Sequence, residues 1–140
     1  MIKNLSYNSN KIKALLFEMV GRSFSLIKRF KLKGTGSNKL VITDASEEVV
    51  ELLKLDNNIN YCNIEIRERG IIIRFRSLLE TYGLIIPYHK LVIYKGESKM
   101  YSFYNDNNFI KIIAENRTTH LFIKKITKLK YEYNNKMGLN

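Results

Sequence analysis

From Tyr61 to Ala114 the chain keeps a two-residue beat. Apolar and polar side chains alternate in short runs, and Gly, Pro, Asn and Asp separate the runs. Alternation at that period turns one side of each run towards a core and the other towards water, as in a half-buried strand. In Tyr61–Arg67, Cys62, Ile64 and Ile66 share one face while Asn63, Glu65 and Arg67 share the other. In Ile71–Arg76, Ile71, Ile73 and Phe75 alternate with Ile72, Arg74 and Arg76. Glu68-Arg69-Gly70 between them reads as a hairpin turn with Gly70 at positive φ. Pairing Ile66 with Ile73 and Ile64 with Phe75 buries the apolar face. It also sets Glu65 opposite Arg74 and Asn63 opposite Arg76.

The beat continues through Tyr82–Ile86, which Pro87 ends because proline cannot donate to a ladder. Leu91–Lys95, Met100–Tyr104 and Phe109–Ala114 follow, with turns at Gly96 and at Asn105-Asp106-Asn107-Asn108. A basic amphipathic helix then closes the series from about Thr118, its expected N-cap, to Tyr133. Phe122, Ile126, Leu129 and Tyr133 fall on one helical face, and Lys124, Lys125 and Lys128 fall away from it.

Ahead of the sheet, Lys39–Thr43 reads as a strand. Asp44 and Glu47 form a capping box for a short helix that buries Val49, Val50, Leu52 and Leu53 and ends at Asp56-Asn57-Asn58. Gly34-Thr35-Gly36-Ser37-Asn38 reads as a flexible connector. Residues 1–9 read as frayed. From Asn10 two readings stand: one helix to Phe30, which is preferred, or a helix to Val20 followed by a strand carrying Phe24, Leu26, Phe30 and Leu32 on one face. The organisation expected is a helical extension and linker over 1–38, a sheet domain over 39–133 and a disordered tail over 134–140.

With 140 residues, one domain with a full core is the natural size. The single cysteine, Cys62, leaves no intrachain disulfide and no multi-cysteine zinc site, which fits a reducing compartment. No secretion signal is evident at the N-terminus. The longest apolar-rich stretch, Ile12–Leu32, carries Glu18, Arg22, Lys28 and Arg29, too much charge for a membrane span. A cytoplasmic protein is therefore expected. The net charge of +11 is uneven. Residues 1–38 hold eight Lys and Arg against one acid, and 117–140 hold six against one, while 61–116 are nearly balanced. Such ends attract phosphate-rich partners, and they equally serve solubility.

Seven short strands and a closing helix, with Ile71-Ile72-Ile73-Arg74-Phe75-Arg76 followed by Ile86-Pro87-Tyr88-His89-Lys90-Leu91, resemble the bacterial pleckstrin-homology-like domain family. The resemblance runs from about Lys39 to Tyr133; the capped helix near Asp44 and the N-terminal helix depart from it. It implies an α+β fold: a bent antiparallel sheet, or partly open barrel, of about seven strands with a C-terminal capping helix, here carrying an N-terminal helical extension. It also implies a non-enzymatic binding or assembly module. In eukaryotic pleckstrin-homology domains, basic residues spread over the first hairpin hold inositol phosphates, and Arg67 … Arg74-x-Arg76 is similar to that motif. The candidate anion-binding residues are thus Arg67, Arg74, Arg76, Lys90 and Lys95, because guanidinium forks suit phosphate oxygens. A plainer role is preferred: Arg74 pairing with Glu65 across the hairpin, with Arg67 and Arg76 as solvated edges.

Aromatics interleave with basic residues at Tyr88-His89-Lys90, Tyr94-Lys95 and Lys130-Tyr131-Glu132-Tyr133, as single-strand binders require, but no nucleic-acid motif accompanies them. The N-terminal helix, with Phe17, Phe24 and Leu26 against Lys13, Arg22 and Lys28, suits an anionic membrane surface, its own sheet or another copy of the chain; docking on the sheet is preferred. Catalysis finds little footing. His89 and His120 lack metal spacing, Ser23, Ser25 and Ser46 sit in no nucleophile elbow, and Gly34-Thr35-Gly36-Ser37 lacks a phosphate loop's lysine. Cys62 shares the core face, where an inert thiol is expected. No enzyme activity, cofactor, metal or small-molecule substrate is read. The expected partner is a protein or a second copy of the chain, met at an exposed strand edge or the N-terminal helix. An anionic membrane or nucleic acid met by the basic face is the alternative.

Overall fold

The computed structural model describes residues 1–7, 9–55 and 60–138. It is an α+β fold built on one open antiparallel sheet. The strands are β1 (Ile2–Asn4), β2 (Leu40–Ala45), β3 (Tyr61–Arg67), β4 (Gly70–Ser77), β5 (Glu80–Pro87), β6 (Leu91–Lys95), β7 (Met100–Asn105) and β8 (Asn108–Ile113). The helices are α1 (Asn10–Val20), α2 (Leu26–Lys31), α3 (Glu47–Leu53) and α4 (Arg117–Lys136). The strand order is β1-β5-β4-β3-β2-β8-β7-β6. Two meanders, β2–β5 and β6–β8, thus meet where β2 pairs with β8. β2 is the corner. It pairs with β3 only at Leu40 and Val41, then follows β8 as far as Ala45 across an irregularity between Ile42 and Asp44. Among the described residues no helix is long and apolar enough to cross a membrane.

The six strands expected from the alternation and the one expected ahead of it, Lys39–Thr43, are all present. Among the described residues the count is eight, because those read as frayed include β1, which pairs with β5 through Ile2↔Leu84, Lys3↔Gly83 and Asn4↔Tyr82. The inner face of the sheet carries the main core, with Ile64, Ile66, Ile71, Ile73, Phe75, Leu84, Ile86, Phe103, Ile110 and Ile112 buried beneath α3 and α4. In α4, Phe122 and Ile126 are buried while Leu129 and Tyr133 pack against the core half-buried, the face that helical spacing picks out.

The hairpin register departs from expectation by two residues. Arg67 pairs with Gly70, Ile66 with Ile71, Ile64 with Ile73 and Cys62 with Phe75. Glu68 and Arg69 alone form the turn, so Gly70 is a strand residue and its φ is not positive. Its lack of a side chain matters for space: a Cβ there would lie 2.4 Å from the Ile86 carbonyl oxygen and 2.6 Å from Val20 Cγ1.

Val20 is that close because α1 lies on the outer face of β4 and β5. Leu16 and Val20 bury Ile72 and Ile85 there, with Leu5, Ile12 and Met19 packed around them. This wing of the sheet is covered on both faces, which is why Ile71-Ile72-Ile73 and Leu84-Ile85-Ile86 are unbroken apolar runs.

The single helix preferred for Asn10–Phe30 is two. α1 stops at Gly21, whose φ of 80° leaves the helical region, and Ser25 starts α2 by accepting from the Lys28 amide. The strand reading of 24–32 fails as well. Nor is the connector loose: Ile66 N donates to Thr35 O, Ser37 N donates to Ile64 O, and Ile64 N donates to Ser37 Oγ. Residues 35–37 thereby complete the edge of β3 that β2 leaves open.

The proposed capping box does not form. Asp44 belongs to β2 and accepts from the Ala45 amide, and Ser46 occupies the N-cap of α3. The expected helix end at Asp56-Asn57-Asn58 lies outside the described residues. Asn116, rather than Thr118, caps α4 by accepting from Thr119 N. That helix runs on through Asn134, which is buried, to Lys136, so residues 134–136 are not a disordered tail.

Candidate functional site

The β3–β4 hairpin sets the charged centre. Glu65 faces outward from β3, opposite Ile72 and diagonal to Arg74. Its carboxylate takes Arg74 NH1 at 2.6 Å on one oxygen and Arg67 Nε at 2.8 Å on the other. Ser23 Oγ donates to it at 3.2 Å, and Arg67 NH1 reaches the Gly21 carbonyl at 3.2 Å. Burial pushes the Glu65 carboxyl up, but the hydrogen bonds and charges of Arg74 and Arg67 outweigh it and hold the group below its ordinary range. Two of the five candidate basic residues therefore share one carboxylate. They pin the segment after α1 to the sheet.

Beyond Arg74 a groove of about 480 Å³ opens where β3 begins and β4 ends. Lys39, Arg74 and Arg76 supply its charge, and Ser37, Asn63 and Thr81 supply hydroxyl and amide groups. No described carboxylate lines it. Arg76 is exposed and has no ion-pair partner among the described residues. Lys39 Nζ sits 4.8 Å from the centre of the Tyr61 ring. The arrangement can take an anion between cations without displacing an internal partner from Arg76 or Lys39.

Lys90 and Lys95 are not lining residues of this groove. Lys90 pairs with Asp106 at 3.4 Å, and Lys95 lies at the end of β6, 5.9 Å from the Tyr101 ring centre. Sequence reasoning missed Lys39 and Tyr61. The β2–β3 pairing brings them beside Arg74, and no local pattern announces a contact made by two strands of different runs.

Two other surfaces stand out. β6 ends the sheet, with Val92 and Tyr94 exposed. α2 has no buried residue at all. The titratable groups considered for catalysis are dispersed. Burial pushes the Cys62 thiol up to about 12. His120 Nδ1 lies 3.0 Å from the Tyr101 hydroxyl, whereas His89 is exposed on the turn after β5. Among the described residues no His, Cys, Asp and Glu group could hold a metal ion. Compared with known proteins, the chain matches no family model, no curated protein and no solved structure.

Proposed function

We propose that the chain is a non-catalytic binding and assembly module of pleckstrin-homology-like build, working in a reducing cytoplasm, and that it contacts a partner protein or a second copy along β6. Supporting the build, seven strands from β2 to β8 form two meanders and α4 follows the last of them, the element order on which the resemblance rests. The observation that carries the function is the outer edge of β6, which no described strand pairs with. Gly96 N donates to Met100 O, so alternate residues Tyr94 and Val92 point their backbone groups at β7. Ile93 and Lys95 then point theirs outward, where an extended segment can add a strand.

A peptide array of extended segments, probed with the full chain, tests this. Binders are expected to slow amide exchange at Ile93 and Lys95, and Lys95→Pro, which removes an outward N–H and no ladder bond, is expected to abolish binding. Protection of both amides in the free chain, or binders indifferent to the proline, would overturn it. The groove favours a second reading, an anion-binding site, because three cations line it with no described carboxylate. Titration with pyrophosphate separates the two: anion binding weakens steeply with salt and is lost in Arg76→Ala, whereas strand pairing is indifferent to both.

A further inference from the structure

We propose that α2 is a peripheral docking element for an anionic lipid bilayer. Leu26, Ile27 and Phe30 are 79%, 72% and 86% exposed. At about 100° per residue they fall within a single arc of the helix, and Lys28, Arg29 and Lys31 occupy the rest. A helix of six residues gains little stability from its own hydrogen bonds, and no packing on the sheet makes up the difference. Its base is nonetheless fixed. Gly34 N donates to Arg29 O, Lys33 and Gly34 turn the chain at φ of 59° and 101°, and Lys125 Nζ from α4 donates to both of their carbonyls. The element stands on a firm mount with its apolar side in water.

Charge decides what covers that side. Between Met19 and Thr43 the chain has six Lys and Arg and no Asp or Glu. A second copy laid on α2 would bring two such cation sets together, which opposes pairing. An anionic bilayer offers hydrocarbon to the three apolar side chains and phosphates to the lysines around them, the geometry of an interfacial helix. Lys33, just past the end of α2, and Leu121 of α4, half exposed, border one further cavity. The surface is distinct from the β6 edge and needs no partner there.

The full chain, sedimented with vesicles of phosphatidylcholine alone or mixed with phosphatidylglycerol, tests the proposal. Binding is expected on the mixed vesicles only. Replacing Leu26, Ile27 and Phe30 together by Ser is expected to weaken it more than about tenfold, and each of Lys28→Ala and Lys31→Ala about fivefold. The chain has no tryptophan, so Phe30→Trp gives an independent probe whose emission is expected to shift to the blue on mixed vesicles. Lys95→Pro is expected to leave binding unchanged. An unmoved Phe30→Trp emission, or undiminished sedimentation of the triple Ser variant, would overturn the proposal. So would a concentration-dependent mass increase that the same Ser changes abolish, because a second copy would then be the occupant.

Discussion

Ile71-Ile72-Ile73 and Leu26-Ile27 with Phe30 are comparably apolar stretches of one chain, yet the structure treats them oppositely. The first is wholly buried: Ile71 and Ile73 face the main core and Ile72 lies under Leu16 and Val20 of α1. The second projects from a short helix over which none of the described residues is laid. Apolar content alone does not bury a side chain. A strand can be covered on both faces when a helix is tethered close enough to lie across it, and α1 is, between β1 on β5 and the Ser23–Glu65 and Arg67–Gly21 contacts on β3. α2 follows the same tether, between the Ser23 and Gly36 bridges to β3, and buries none of its residues.

The sharpest way to break the comparison is Ile72→Ala. The side chain is fully buried between sheet and helix, so truncation opens a cavity on the outer face and is expected to cost about 2–5 kcal/mol in urea unfolding. Amide exchange locates the damage: α1 is expected to lose protection before α4 does. Equal loss across both helices would mean that the outer face is not a separate packing unit.

Glu65 tests the tether that makes the difference. Glu65→Gln leaves Arg67 and Arg74 without their shared charge, and because both arginines keep some solvent the expected cost is about 1–2 kcal/mol. Its pH dependence follows from the depressed folded pKa. Burial raises that value, and the hydrogen bonds and charges of Arg74 and Arg67 lower it further than burial lifts it, to below the ordinary 4.5. The stabilisation is therefore fully present above the unfolded value and is lost as pH falls through the folded one. The stability gap between the natural chain and Glu65→Gln is expected to narrow on acidification below about pH 4. A gap that is constant with pH would show that the carboxylate's charge contributes nothing.

The strands were legible because alternation is a property of each run by itself, and so was the face α4 presents to the core. Register was not. Sliding β3 past β4 by two residues leaves every side chain on its own face, so parity cannot distinguish Ile66 opposite Ile73 from Ile66 opposite Ile71. The length of the turn decides, and Gly70 was misread as part of it. The Glu65–Arg74 pair survived the error because diagonal neighbours also touch. One signal went unused: Ile71-Ile72-Ile73 does not alternate, and an unbroken run asks for a cover on both faces. In the groove, Arg74 and Arg76 come together through the alternation of one strand, β4, while Lys39 joins them only through the β2–β3 pairing.

The smallest expected effect is the most informative counterpart to Ile72→Ala, because it uses the same residue type. Ile27 lies in α2, mostly in water, and makes no core contact. Truncation to Ala removes little buried surface, and alanine is the better helix former by a few tenths of a kcal/mol. Ile27→Ala is therefore expected to change stability by less than about 0.5 kcal/mol, in either direction, in the same urea measurement. A cost approaching that of Ile72→Ala would mean that α2 folds back onto the sheet in solution, and the contrast between the two stretches would disappear. A neutral result, together with weakened sedimentation on phosphatidylglycerol vesicles, would separate what Ile27 does for the fold from what it does at a surface.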